Sequence, residues 1–576
     1  MGSLSKCGNS RSGTSDNFPI RANEVVAQQE QERHENEILK QQNEELRLQN
    51  LAMKEFLKNP HKSIFEHKIC IENARLKEKI RAMTIQYNQS YGLNETRMGI
   101  DMAIQTKSYL KLAPYAMDEL FKLGALNDPL WSKSTHAQGE TLDFNLYEWA
   151  FPPCLGPKPH GFVSEASRAK GVIPMATSDF VEALFNADQW RDMFVGMIGR
   201  CTTKVISNGA RGSRNGALLL MKAEIQVISS FVPVRVLNFI RYVNKHAEGL
   251  WVVVDYSVDF GTDKRLTRRC PSGCILQSMP NGCTKVTWIE HTEYDEQLIH
   301  ENYRGLIRSG MGFGAQRWVS ALLGQCKCIV SMTSPSPNMF ESTTRCLRSL
   351  AQRMRRMFCA TVCLTGWERW NLVANEPGRP RIMARMYNDF QGVSRVVMSA
   401  THSVWIATNH RHLFEMLLIK ELRRVWDVLC HTIATRDMYS FPLSQDEANF
   451  NCVSILDSNT LQAGVNQPLK VLQEASSDTT GSLIVYAIVD TPTVALVMHG
   501  GDSSRVGLLP IGLSIVPYHG ESGESGSMVT MGFHMLLRNQ VISNITVENI
   551  NTLNRLVAQT VRGLKMLVDP LNEEGM

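Results

Sequence analysis

No apolar run in this 576-residue chain reaches the roughly 18 residues needed to span a bilayer, so a transmembrane helix is not expected. The opening MGSLSKCGNSRSGTS lacks the apolar core of a secretory signal, and the sequence predicts a protein that stays inside the cell. Its 14 cysteines contain no Cys-x-x-Cys pair and are scattered, which suits buried thiols in a reducing compartment better than a disulfide framework. Lysine and arginine form no long block and the net charge is only +5, so charge alone does not imply nucleic acid. A phosphate-binding loop is missing too. Gly310-Met311-Gly312-Phe313-Gly314 precedes a helix but lacks the GK[ST] ending and the dinucleotide spacing, and it predicts a flexible loop hinging that helix. His291, Asp295 and His300 have no further ligand at a recognised spacing and are expected at the surface or at strand ends. Cys270, Cys274 and Cys283 have the wrong spacing for zinc and no fourth partner, and they read as buried thiols. No catalytic residue, metal ligand or enzyme is predicted.

What is present begins with a short zipper. In RHENEILKQQNEELRLQNLAMKEFL, Asn36, Asn43 and Asn50 recur every seven residues, each followed three places on by Leu39, Leu46 and Met53. Asparagine at a and Leu/Met at d favour a two-stranded coiled coil in fixed register, because a buried Asn can pair only with an aligned partner. Asn59-Pro60 interrupts the helix, and Ile69, Asn73, Leu76, Ile80 and Met83 resume the seam. The domain reading is a disordered stretch over 1–30, an interrupted zipper over 31–85, one α+β domain over 102–330 and a second over 340–570.

The two globular segments repeat one another. Leu112-Ala113, Met117 and Trp131 precede Trp190 in the first, and Leu350-Ala351, Met354 and Trp367 precede Trp426 in the second, the later tryptophan following 59 positions after the earlier each time. The strand pattern ending at Asp255 has a counterpart ending at Asp490, and KVTWIEH matches MVTMGFH. Each copy closes with a long amphipathic helix, Phe313 to Ile329 and Val547 to Leu567. An antiparallel sheet curved round one helix can enclose an apolar pocket with few polar groups. The arginines at 345, 348, 353, 355 and 356 share a helix whose other face is apolar, and they are expected to form a solvated face.

GFVSEASRAKGVIPM, the stretch from Ser207 to Asp259, PSGCILQSMPNGCTKVTWIEHTEYDE and YRGLIRSGMGFGAQRWVSALLGQC resemble the START domain of plant class IV homeodomain-leucine zipper transcription factors. RCLRSLAQRMRRMFC, SVWIATNHRHLFEMLLIKELRRVWDVL and VMHGGDSSRVGLLPIGLSIVP resemble the START-associated region of the same family, and residues 33–83 its interrupted zipper. The resemblance implies a START helix-grip fold followed by a START-like domain. It also implies a lipid or sterol in the first copy, with Glu224 and Arg241 as a facing carboxylate and guanidinium and with Trp251 and Asp255 beside them. In the second copy Gln473 stands where the arginine would be. Family members carry a homeodomain ahead of the zipper, whereas the residues before the zipper hold no WFQNRR-like run and only Lys6, Arg11 and Arg21 as cations, so no direct DNA contact is expected from them. The family often has a Cys-x-x-Cys pair in the zipper's loop. This chain has NPHKSIFEHKIC, with Cys70 alone.

These readings converge on a nuclear transcription regulator of this family that forms homodimers or heterodimers with relatives and modulates their DNA binding. Its dimerisation residues are Asn36, Leu39, Asn43, Leu46, Asn50, Met53 and Leu76. The alternatives are a cytoplasmic START lipid-binding or transfer protein, or a shortened form of a DNA-binding member.

Overall fold

The computed structural model describes residues 96–569 apart from 134–138, 153, 211–212, 259–265, 334–339, 366–368, 389–393, 431–434, 447–448, 459–468, 500, 504–505, 520–523 and 538–540. The chain divides into Met1–Ser63 and Ile64–Met576, and everything described lies in the second unit. Asn36, Leu39, Asn43, Leu46, Asn50, Met53 and Leu76, and the coiled coil expected around them, fall outside the described residues.

The first copy runs α1 (Thr96–Ala125), β1 (Trp131–Lys133), β2 (Glu140–Leu142), α2 (Phe144–Ala150), β3 (Phe162–Ile173), α3 (Thr177–Phe185) and α4 (Ala187–Met193). It continues through β4 (Ile198–Asn208), β5 (Ala217–Ile225), β6 (Arg235–Ala247), β7 (Leu250–Ser257), β8 (Thr267–Arg269), β9 (Ser272–Ser278) and β10 (Thr284–Asp295) to α5 (Glu301–Arg308) and α6 (Ala315–Thr333). The strands form one antiparallel sheet in the order β1-β2-β3-β10-β9-β7-β6-β5-β4, with β8 also paired to β10.

The second copy runs α7 (Phe340–Cys363), β11 (Asn371–Ala374), β12 (Arg381–Asn388), β13 (Ser394–Ile406), α8 (His410–Leu418), α9 (Lys420–Trp426) and β14 (Thr435–Asp446). Then follow β15 (Asn449–Ser458), β16 (Leu469–Asp478), β17 (Gly481–Asp490), α10 (Thr491–Met498), β18 (Ile511–His519), β19 (Ser525–Leu537) and α11 (Val547–Val568). Its sheet order, β11-β12-β13-β19-β18-β17-β16-β15-β14, traces the same path as the first. The internal repeat is therefore topological, and each copy is an α+β unit.

The central strands β7 and β17 are buried on both faces, which is why they read as near-continuous hydrophobic runs rather than alternating ones. In the first copy α6 lays Trp318, Val319, Leu322 and Cys326, one helical face, into the concave side. Gly171 on β3 lets the helix come close, since a Cβ there would stand 2.8 Å from Val319 Cγ1. The convex side is covered by α1 through Ala113, Ala116, Leu120 and Leu123. The loop before α6 is not a flexible hinge. Gly314 N–H donates to Gly310 O at 2.7 Å, Ala315 N–H to Ser167 Oγ at 2.9 Å, and a Cβ at Gly314 would meet Gly310 O and Ser167 Oγ at 2.5 Å.

The two copies share cores. Val516 and Met528 pack into the first copy's cluster and Ile228 into the second's. Tyr303 Oη lies 3.0 Å from Thr530 Oγ1, and Thr365 Oγ1 donates to Gln226 Oε1 at 2.8 Å. Of the five α7 arginines, Arg345 is exposed as expected and Arg353 donates to Val506 O within its own copy, while Arg348, Arg355 and Arg356 turn toward the junction instead of forming a solvated face. Arg348 is 3% exposed, Arg355 donates to Glu474 Oε1 and Val195 O, and Arg356 to Asp192 Oδ1. A cleft of about 110 Å³ lies between the copies, bordered by Gly196, Arg317, Arg355, Ser482 and Ser514.

Candidate functional site

The interior of the first copy is built where β6, β7, β8 and β10 face α4 and α6. Register sets Arg241 on β6 directly opposite Asp255 on β7. Their side chains meet as a two-point fork, Nε to Oδ1 and Nη2 to Oδ2, both at 2.8 Å, and the third guanidinium nitrogen donates to Leu184 O at 2.6 Å. Both residues are 1% exposed. Burial opposes the charge on Arg241, yet the Asp255 carboxylate and its hydrogen bonds leave the guanidinium pKa above its ordinary value. Asp255 Oδ2 also accepts from Arg269 Nη1 at 2.9 Å, and Arg269 Nη2 reaches Glu290 Oε1 at 2.5 Å. That same oxygen accepts from Trp288 Nε1 at 2.8 Å. Burial pushes the Glu290 carboxyl pKa up against the pull of Arg269. Two cations and two anions alternate through the dry interior, so each charge is offset by its neighbour.

Three tryptophans border this chain of charges. Trp318 of α6 stands between Trp190 of α4 and Trp288 of β10, with centroids 6.0 and 5.1 Å apart and planes within 10° of parallel. Phe194 meets Trp288 and Trp318 edge-on. Arg241 lies 4.3 Å over Trp190, and Arg269 5.5 Å from the Trp318 centroid, placing both cations over indole rings. Two polar atoms here have no hydrogen-bond partner, Trp190 Nε1 and Arg269 Nε. Near the α5–α6 turn, Arg235 pairs with Glu165 at 3.1 Å over the rings of Tyr294 and Phe313, and Glu165 Oε1 and Tyr294 Oη are likewise unpartnered.

Of the four candidate residues, the structure brings three to one face. Trp251 shares the parity of Asp255 along β7 and packs half-buried against the same core. Glu224 does not belong with them. Arg241 lies across from Leu219, and Glu224 across from exposed Val236, so the two-residue strand period points Glu224 to the opposite face. The partner of Arg241 is therefore Asp255. Arg269, Glu290 and Trp288 were missed; the available signal was the Arg268-Arg269 pair ahead of a strand of otherwise buried character.

In the second copy Gln473 lies opposite Tyr486, the pair that takes the place of Arg241 and Asp255 in the matching hairpin. The charges have moved to helix α9. Arg423 donates to Asp427 Oδ2 at 2.9 Å and to Gln473 Oε1 at 2.5 Å, and Tyr486 Oη donates to Asp427 Oδ1 at 2.8 Å.

His291 also departs from expectation. It is 2% exposed, beneath the rings of Phe144 and Tyr147 of α2, and burial drives its pKa down to about 3. Asp295 caps a turn through Gln297 N–H, and His300 Nδ1 accepts from Asn302 N–H at the start of α5. Cys270 and Cys274 are buried, while Cys283 is half-buried.

The START domain family matches residues 111–328, and the PDF2-like C-terminal domain family matches residues 341–569. Homeobox-leucine zipper protein HDG1 of Arabidopsis thaliana is 34% identical, across 93% of this chain and 78% of its own length. Homeobox-leucine zipper protein ROC4 of Oryza sativa subsp. japonica is 35% identical, across 93% and 79%. Among solved structures, human StAR-related lipid transfer protein 5 aligns at 10% identity with a TM-score of 0.26, over 39% of this chain and 98% of its own.

Proposed function

The chain belongs to the class IV homeodomain-leucine zipper family of plant transcription regulators, and from that premise we propose that it is a nuclear regulator that pairs through its zipper and takes an apolar ligand, a lipid or sterol, inside its first START copy. The observation that carries the ligand reading is the alternating Arg241–Asp255–Arg269–Glu290 chain set against stacked tryptophans, with Trp190 Nε1 and Arg269 Nε left without partners. Unmade hydrogen bonds at buried atoms are costly, and a polar ligand head is one way to satisfy them. Trp318 fills the space between Trp190 and Trp288, so an occupant must displace it, and α6 would shift with it.

The regulatory step is pairing. A zipper shared with a homeodomain-bearing relative would bring this chain into the relative's DNA-binding dimer, whose members each read one half-site. Exchanging one member of that dimer changes the base and phosphate contacts made at one half-site. The test adds an excess of this polypeptide to a full-length relative bound to a palindromic site. Weakened binding is expected. Binding unchanged at saturating excess, with mixed dimers confirmed by cross-linking, would remove the regulatory reading.

A further inference from the structure

On the convex side of the first sheet, beneath α1 and α2, we propose a second site: a zinc ion held by Cys270, His291 and Glu293, with the Glu119 carboxylate beside them as the fourth donor. The three donors converge because of register. Cys270 N–H donates to His291 O at 2.9 Å, which sets the two residues side by side on adjoining strands, and Glu293 lies two residues further along β10, on the same face as His291. Their ligand atoms lie within 4.8 Å of one another, and all three side chains are buried. Tetrahedral zinc with bonds of about 2.0–2.3 Å needs ligand atoms about 3–4 Å apart, so the group closes by about 1–2 Å at its widest pair.

Two further observations point inward. His291 Nδ1 has no hydrogen-bond partner although the residue is 2% exposed. Glu293 is oriented by Arg268, whose Nε binds Oε2 while its two terminal nitrogens donate to Leu155 O and Gly156 O. A carboxylate gripped in this way can still ligate, and such support is what metal-bound carboxylates ordinarily have. Glu119 comes from α1, where it accepts from Tyr147 Oη at 2.6 Å, and its carboxyl interacts electrostatically with Glu293 and Cys270. Sulfur, imidazole and carboxylate together suit zinc rather than magnesium or calcium, which want oxygen alone. The ion would tie β8, β10 and α1 together, and Phe144 and Tyr147 would keep water from it.

The test is metal content of the purified full chain, followed by cobalt substitution. One zinc per chain is expected, replaceable by Co²⁺ with a thiolate-to-cobalt charge-transfer band in the near ultraviolet. Cys270→Ser abolishes that band, while Cys274→Ser, a thiol on the other side of the register, keeps it. If Cys270→Ser does not fold, the wild type still decides the matter: Zn²⁺ raises its melting temperature and Mg²⁺ does not. A merely packed histidine and ion pair predicts otherwise. Wild-type protein without stoichiometric metal, without a cobalt band and with no response to Zn²⁺, or a band that persists in Cys270→Ser, would overturn the proposal.

Discussion

Arg241 is anchored at three points inside a region that excludes water, so removing it leaves the Asp255 carboxylate with Arg269 as its remaining ionic partner. Arg241→Leu is expected to cost about 3–5 kcal/mol in urea denaturation, the loss typical when one member of a buried ion pair is deleted. Glu224→Gln, on the half-exposed opposite face, should stay below about 1 kcal/mol. The family resemblance paired Glu224 with Arg241, and only the register reveals which face each presents. A second residue-scale effect belongs to His534, placed between Pro510 O and Thr361 Oγ1, where burial lowers its pKa from 6.5 to about 4. A histidine kept neutral by the fold contributes stability that is fully present above pH 6.5 and is lost as pH falls toward 4, because the unfolded chain binds the proton first. Between pH 7 and 5 the wild type should therefore lose about 2 kcal/mol more than His534→Gln.

Helix α6 holds its position through close contacts at its start, so changes there act on the whole element. Gly314→Ala places a methyl 2.5 Å from Gly310 O and Ser167 Oγ and is expected to destabilise by about 1–3 kcal/mol, as overpacking does. At the other closing helix, α11, Thr546 and Asn549 cap one another reciprocally, and Thr546→Ala should cost about 1 kcal/mol. Thermal and urea denaturation of each variant check both values. The closing helices were legible because their apolar positions recur at helical spacing over many turns. The short strands β1 and β2 and helix α2 were not, since three to seven residues hold too little periodicity, and β3 could be placed only by its pairing with β10. The role of the α7 arginines was hidden for a different reason: a charged helical stripe looks the same whether it meets solvent or a second domain, and only Asp192, Glu474 and Val195 O decide it.

The two copies exchange core residues, with Val516 and Met528 in the first cluster and Ile228 in the second, so the START and PDF2-like domains are expected to unfold together. Calorimetry of the full chain should show one transition, and two well-separated transitions would mean that the junction contributes little. At this scale the repeat was readable from the equal tryptophan spacing, but the shared core was not, because contacts such as Tyr303 to Thr530 span more than two hundred residues. What the fold serves is, on the present account, a paired regulator with a ligand in its first copy. Native mass spectrometry of the purified chain tests that most directly. The account predicts a dimer carrying a lipid-sized adduct, with Leu39→Pro/Leu46→Pro reducing it to a monomer. A ligand-free monomer from the unaltered chain would contradict it.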